Sequence, residues 1–497
     1  MAAPLKRLAA KRVAIVGAGP SGMAAVKYLN AERAFDAITV FEQRRHVGGI
    51  WRYTAQHSGD GMFDVPQTNP HVGLEQPVAG GNSDTQSNEC QFLSPIYERL
   101  ETNIPKSLMG YSDTPWADHL QVFPRHEDVQ EYLEAYGAEL IPSIKFMTQV
   151  TRVTPAEDDS WLLEYKDLHT KKAHAETFDA VVVATGHFSV PYVPEIEGLA
   201  EWNQRHPGSV SHSKYFRAPE PFKEKKVVVI GSSASGLDIA SQISTFCRKP
   251  LLLSQRSVSD LAAGFANDPD ISVVPQITHV DANGRTVFFS DGRIEQDVDE
   301  LLFCTGYLYS FPFLESLEPN PISDGTRVEH TYKHLFYAPR PTLAFLTLNQ
   351  KIIPFPLAEA QSAVLARVWS GRLTLPSTEE MVGWEKSVID ECGSGGKFHV
   401  LKFPKDAEYI NELYDWAVSA EKVDGLENDG TGKLPKRWGA WEYWARENFP
   451  KIRKAFIMHG EGRKDITTLK QLGFEFPDSG EAVNKGRESS SVSSSEG

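Results

Sequence analysis

Two glycine-rich turns carry the residues of this chain best placed to do chemistry. The first reads GAGPSG, with Gly17, Gly19 and Gly22 at the spacing GxGxxG and with Ala18, Pro20 and Ser21 between them. In such a run the first glycine permits a tight turn and the second lets backbone approach a pyrophosphate. The third lets helix and strand pack closely. A phosphate there meets free N–H groups and the positive end of a helix. Glu42 follows about twenty residues on, at the end of the next strand, where a carboxylate accepts hydrogen bonds from ribose hydroxyls. The second turn reads GSSASG, with Gly231, Ser233 and Gly236, serine replacing the central glycine; Ser235, Leu237 and Asp238 lead into its helix. No acid closes the following strand. Ser254-Gln255-Arg256 stands there instead, and a cation in that place suits a 2′-phosphate, which favours NADPH over NADH. Two dinucleotide sites in one chain imply hydride transfer between two cofactors.

The elements that must hold these turns are legible around them. RVAIV (Arg12–Val16) is a short apolar run suited to a buried parallel strand, MAAVKYLN after the turn is a helix former, and ITVFE is the next strand. FDAVVVATG (Phe178–Gly186) adds another strand. The same order returns in KVVVI (Lys226–Ile230), LDIASQISTF, PLLLSQR (Pro250–Arg256) and VDELLFCTG (Val298–Gly306). Strand, glycine turn, helix and strand, twice over, predict an α/β fold with two Rossmann-like dinucleotide-binding domains. Tyr53 to Phe92, rich in Gly, Pro, Asn and Gln, reads as a long surface excursion. EYINELYDWAVSAEKV predicts an aromatic-rich helix near the C-terminus, and ESSSVSSSEG a disordered, acidic tail.

Composition narrows the function classes. The 497 residues exceed one ordinary core, and 41% hydrophobic with 24% charged residues is normal for a folded protein. The net charge of −15 argues against a nucleic-acid partner. Four cysteines (Cys90, Cys247, Cys304, Cys392) without a CxxC point to a reducing compartment and against disulfide-reductase chemistry. The 15 histidines are scattered, so no metal site is expected, and no GxSxG elbow is present. The apolar run Val13–Val16 is cut short by Gly17, so it is no signal-peptide core, and no stretch is long enough to span a membrane. A cytoplasmic location is the expectation.

The segments EQRRHVGGIW (Glu42–Trp51), TNIPKSLMGYSD (Thr102–Asp113) and FCTGYLYSFPFL (Phe303–Leu314) resemble those of flavin-containing monooxygenases. IPFPLAEAQSAVLARVWSGRLTLPS (Ile353–Ser377) is similar to the fungal and yeast branch. PGSVSHSKYF matches the family fingerprint FxGxxxHxxxF at Gly208, His212 and Phe216, with His206 in place of the first Phe. Baeyer–Villiger enzymes end that fingerprint in Trp, whereas Phe216-Arg217 stands here, which disfavours ketone insertion.

The resemblance implies FAD and NADPH as cofactors and an NADPH domain inserted into a discontinuous FAD domain. The expected divisions are 1–190 and 310–478 for FAD, 191–309 for NADPH, and 479–497 for the tail. It implies hydride transfer to flavin N5 and a C4a-hydroperoxyflavin that oxygenates a nucleophilic sulfur or nitrogen of a small thiol, sulfide or amine with dioxygen. Gly17 to Ser21 and Glu42 would hold FAD, while Gly49, Ile50 and Trp51 would line the flavin. Asn103, flanked by Thr102 and Ile104, would sit between flavin and nicotinamide as the catalytic residue, and Ser235 to Asp238 would contact NADP. An uncoupled NADPH oxidase or flavin reductase, a fungal tailoring enzyme and a non-catalytic NADPH sensor stay open, as does a homodimer.

Three features have plainer readings. Trp438, Trp441 and Trp444 read as one packed helix face, His212 as a turn histidine with structural hydrogen bonds, and Cys304 as an inert core residue.

Overall fold

Val13 to Val16 have no polar face, so a strand made of them is stable only when covered on both sides. The computed structural model, which describes residues 7–55, 63–79, 90–257 and 268–477, places them at the centre of a seven-stranded sheet. In chain order this sheet takes β1 (Arg12–Val16), β2 (Ala37–Phe41), β3 (Ile144–Lys145) and β4 (Ala180–Val183). The chain then builds a second sheet from β5 (Val210–His212), β6 (Val227–Ile230), β7 (Leu251–Ser254), β8 (Ile271–Val274) and β9 (Glu300–Phe303). It returns to the first sheet with β10 (Thr331–Tyr332), β11 (Phe336–Tyr337) and β12 (Leu343–Phe345).

The spatial orders are β10-β11-β12-β4-β1-β2-β3 and β5-β9-β6-β7-β8. The second sheet is parallel throughout, and β12, β4, β1, β2 and β3 are parallel in the first. The second Rossmann-like unit is therefore inserted into the first. At Val190–Pro191 and Tyr307–Leu308 the two connecting segments pair antiparallel.

Helices cover both sheets. α1 (Pro20–Glu32) follows the first glycine turn and α2 (Ala234–Ser244) the second. α3 (Pro354–Trp369) is apolar nearly all round, and every residue from Phe355 to Trp369 is buried, the pattern of a helix inside a core rather than on its surface. Prolines at its start cost nothing, since the first turn has no intrahelical N–H bonds to lose. α4 (Lys405–Val418), the expected aromatic-rich helix, and α5 (Ala440–Met458) complete the C-terminal part. No helix of the described residues is long and apolar enough to cross a membrane.

Two expectations are corrected. The excursion after Tyr53 is not simply a surface loop. In its described part the Gln67 N–H donates to Val193 O and the Val193 N–H to Gln67 O, each at 2.9 Å, and Phe63 stacks on Tyr215. Backbone pairing and burial of Gln67 hold the segment against the inserted unit. The three tryptophans are also not one helix face. Trp438 precedes α5, is buried, and exchanges hydrogen bonds with Asn411; Trp441 and Trp444 are half-buried on the helix, and Trp444 packs edge-on to Phe476. Gly439 ends the spacing that suggested a stripe, because the helix starts only after it. The Ser-rich tail lies outside the described residues.

α1 is fastened at its C-terminal end by charge. Glu32 accepts from Arg372 Nε at 2.7 Å and Nη2 at 2.9 Å, with Arg367 Nη1 at 3.7 Å, and all three residues are buried. Removing the one carboxylate leaves two buried guanidinium groups facing each other, which costs about 3 kcal/mol or more. Glu32→Gln should therefore lower the thermal midpoint by several degrees; an unchanged midpoint would show that the cluster contributes no stability.

Candidate active site

The two glycine turns agree hydrogen bond by hydrogen bond. The Gly17 N–H donates to Phe41 O at 2.8 Å and the Gly231 N–H to Ser254 O at 2.9 Å, in each case the last residue of the neighbouring strand. The Ala184 N–H donates to Val16 O, and the Cys304 N–H to Ile230 O. Gly17 and Gly231 have φ of +105° and +113°, where a side chain is strained. A Cβ on Gly22 would lie 2.0 Å from Gly17 O, and one on Gly236 1.9 Å from Gly231 O. Neither α1 nor α2 has a side-chain N-cap hydrogen bond or an acid in its first turn, so both N-termini keep N–H groups for an anion.

Around the first turn, Glu42 is buried; its Oε2 accepts from the Ala18 N–H at 2.7 Å and its Oε1 from the Arg44 N–H at 2.8 Å. Burial raises this carboxyl, against Arg44 and those N–H groups, which lower it. The Ser21 hydroxyl lies 2.7 Å from the Thr347 hydroxyl, while the Thr347 N–H donates to Gln361 Oε1 of α3 at 2.8 Å. The buried helix thus props the residues after β12 against the cradle. A Cβ on Gly19 would stand 3.7 Å from Gly49 Cα and one on Gly49 3.1 Å from Gly19 Cα, so the two backbones run in close contact here. Ile50 accepts from the Ser94 hydroxyl, and Trp51 and Ile104 pack on the core beneath. The Thr102 N–H donates to Pro124 O and its hydroxyl to Ile104 O, fixing a turn on which Asn103 is exposed.

At the second turn Ser233 and Ser235 are exposed, Leu237 packs on the core of the inserted unit, and Arg256 is exposed just beyond β7. The Asp238 carboxylate accepts from the Tyr97 hydroxyl and from Gln242 Nε2, with Arg453 of α5 at 4.0 Å. Sequence reasoning gave no sign of that link between three distant segments. His212 matches its plain reading: Nε2 donates to Gly306 O at 3.0 Å, and Nδ1 accepts from the Lys214 N–H at 3.1 Å. Cys304 is buried, its thiol pushed up to about 12. The carboxyl ends of β4 and β9 run within a few residues into the paired connections at Val190–Pro191 and Tyr307–Leu308. Both sheets therefore turn their carboxyl edges, where ligands of such folds bind, toward one junction.

Comparison with known proteins decides the family. A model described as flavin-binding monooxygenase-like matches residues 79–268 and 268–417, and an NAD(P)-binding Rossmann-like model matches 15–73. The chain belongs to the flavin-binding monooxygenases. Among the relatives of this monooxygenase, the thiol-specific monooxygenase of Saccharomyces cerevisiae is 32% identical, over 82% of this chain and 85% of that one. The flavin-containing monooxygenase iboF of Amanita muscaria is 30% identical, over 84% and 89%. The structure of S-allyl-L-cysteine S-oxygenase from Allium sativum superposes with a TM-score of 0.73 at 29% identity, over 98% and 99%. Membership implies FAD and NADPH as its cofactors, and the two glycine cradles fit dinucleotides of that kind.

The monooxygenase also carries buried polar groups that no motif announced. His187 Nδ1 and Asn349 Nδ2 are buried without a partner among the described residues, on segments leaving β4 and β12. His187 was within reach of sequence reasoning, since it directly follows the strand-ending Thr185-Gly186; for Asn349 there was no such cue. His334 and His399 form a buried pair with Nδ1 atoms 3.0 Å apart.

Burial holds His187 at about 4 and His212 and His334 at about 3, all below the ordinary 6.5. The folded protein keeps these rings neutral while the unfolded chain protonates below about 6.5. Stability is therefore greatest above that pH and falls as pH drops toward 4, by about 1.4 kcal/mol per pH unit for each ring. Thermal midpoints between pH 7 and 4 should show the fall, and His212→Gln should flatten it; an equal slope in the variant would refute the assignment.

Proposed function

We propose that this monooxygenase uses NADPH and dioxygen to place one oxygen atom on the nucleophilic sulfur of a small thiol or sulfide, by the C4a route that the family resemblance implies. The observation that carries the reading is the pair of matched glycine cradles on two sheets whose carboxyl edges lead to one junction. The relatives named thiol-specific monooxygenase and S-allyl-L-cysteine S-oxygenase support sulfur over nitrogen. Free Cys247, Cys304 and Cys392 agree with work in the cytoplasm.

In this reading residues 1–190 and 310–478 form the FAD domain and 191–309 the NADPH domain. When bound, FAD supplies the electron relay and the activation of dioxygen. The N–H groups at the start of α1 hold its pyrophosphate, Glu42 faces its ribose, and Gly49, Ile50 and Trp51 border its ring. Gly231, Ser233, the first turn of α2 and Arg256 hold NADPH, the arginine at its 2′-phosphate. Asn103, held out on its fixed turn, orients the reacting partners. No acid–base pair is required, because the residues need only position the reactants and exclude water.

The protein should purify yellow, bleach with NADPH under anaerobic conditions, and give a product one oxygen atom heavier for each NADPH consumed in air. NADPH consumption that yields hydrogen peroxide without oxygenated product would overturn the proposal. Gly236→Ala, whose methyl would meet Gly231 O, should distort the second cradle, so the protein keeps its flavin yet bleaches about tenfold more slowly, the factor that ~1.4 kcal/mol of lost cofactor binding gives. Asn103→Ala should lower kcat/KM at least about tenfold at an unchanged thermal midpoint, the side chain being exposed.

A further inference from the structure

Arg217 is a half-buried cation whose Nε and Nη2 are buried and which has no carboxylate partner among the described residues. Its Nη1 donates to Phe216 O at 2.8 Å, Lys214 O at 3.1 Å and Ile96 O at 3.3 Å, while Nε and Nη2 have no partner among the described residues. Arg327, Arg367, Arg372, Arg446 and Arg453 each have a carboxylate oxygen at 3.7 Å or nearer. Among the described residues, no carboxylate reaches Arg217 within 4.0 Å; its titratable neighbours are the phenols of Tyr53, Tyr307 and Tyr215. The adjacent Lys214, by contrast, is matched by Glu75.

A guanidinium does not escape this position by losing its proton. Leaving a charge buried and unpaired costs several kcal/mol, a cost that a merely structural residue would avoid. Nε and Nη2 form one edge of the planar group, the edge that takes both oxygens of a carboxylate or a phosphate. Its place is also informative. Arg217 follows the turn Ser213–Tyr215 at the carboxyl end of β5, while Ile96 belongs to the segment whose Ser94 donates to Ile50 of the first cradle. The guanidinium therefore sits where the two units meet.

We infer that Arg217 binds an oxyanion of a ligand in this crevice, either a phosphate of the nicotinamide cofactor or the carboxylate of the sulfur substrate. The inference rests on the reading of the crevice as the place where cofactor and substrate meet.

The test uses FAD-loaded protein with Arg217→Gln and Arg217→Lys beside the wild type. NADP⁺ affinity is measured at equilibrium without turnover, and KM is measured for cysteine and for cysteamine, thiols that differ by the carboxylate. If the anion is a phosphate, Arg217→Gln weakens NADP⁺ about tenfold or more and leaves the preference between the thiols unchanged. If it is a carboxylate, NADP⁺ binding is unchanged and the preference for cysteine collapses. In both cases Arg217→Lys is intermediate, flavin content is kept, and the unliganded thermal midpoint holds or rises, since an uncompensated charge has gone. Unchanged NADP⁺ affinity together with an unchanged thiol preference would overturn the inference, most plainly if the midpoint fell, because the arginine would then only staple carbonyl groups. A wild type that neither binds NADP⁺ nor oxygenates a thiol would sink the functional reading, and this inference with it.

Discussion

The structure depends on an approach so close that only hydrogen fits. At both cradles the last glycine of the turn, Gly22 or Gly236, sits against the carbonyl oxygen of the first, leaving no room for even a methyl group. That approach lets a helix start directly over the end of a central strand, with its unbonded N–H groups facing the carboxyl edge of the sheet. Strand order, the burial of α3 and the propping of Thr347 all serve to keep that edge rigid. Because the contact is between backbones, it tolerates wide change in side chains elsewhere. A serine stands at the middle position of the second turn, and the geometry is the same.

What was readable in the sequence follows from this. β1, β6 and their turns are local, continuous and apolar, so short-range physics sets them, and the echo of FDAVVVATG in VDELLFCTG foretold that the turns come as a pair. His212 was legible as a structural residue because its partners lie two residues away or on the neighbouring strand's exit. The Asp238 link to Tyr97 and Arg453 was not. It joins segments far apart in the chain, and an aspartate in a helix gives no sign of which distant tyrosine it will meet. Trp438 misled for a related reason: regular spacing suggests a stripe, but one glycine moved the start of the helix. Phe63–Ala79 misled by composition, since Gly and Pro mark irregular backbone and say nothing about whether it is covered.

Charge is handled differently in the two units. The first buries Glu32 beside Arg367 and Arg372 and Asp406 beside Arg446, each carboxylate answered by a guanidinium. Such pairs cost desolvation and gain little net stability, but they fix which helix meets which. Arg217, His187 and Asn349 differ: each holds a polar atom that is buried and without a partner among the described residues.

The paired connections at Val190–Pro191 and Tyr307–Leu308 have a mechanical consequence. The inserted unit leaves and rejoins its host through two strands lying side by side, so both crossings share one axis. The Gln67–Val193 backbone pair adds a further tie between host and insert beside those connections. The contact of Tyr97 with Asp238, backed by Arg453, joins insert to host at a third place, so the inserted unit is held at several points, not only at its entry and exit.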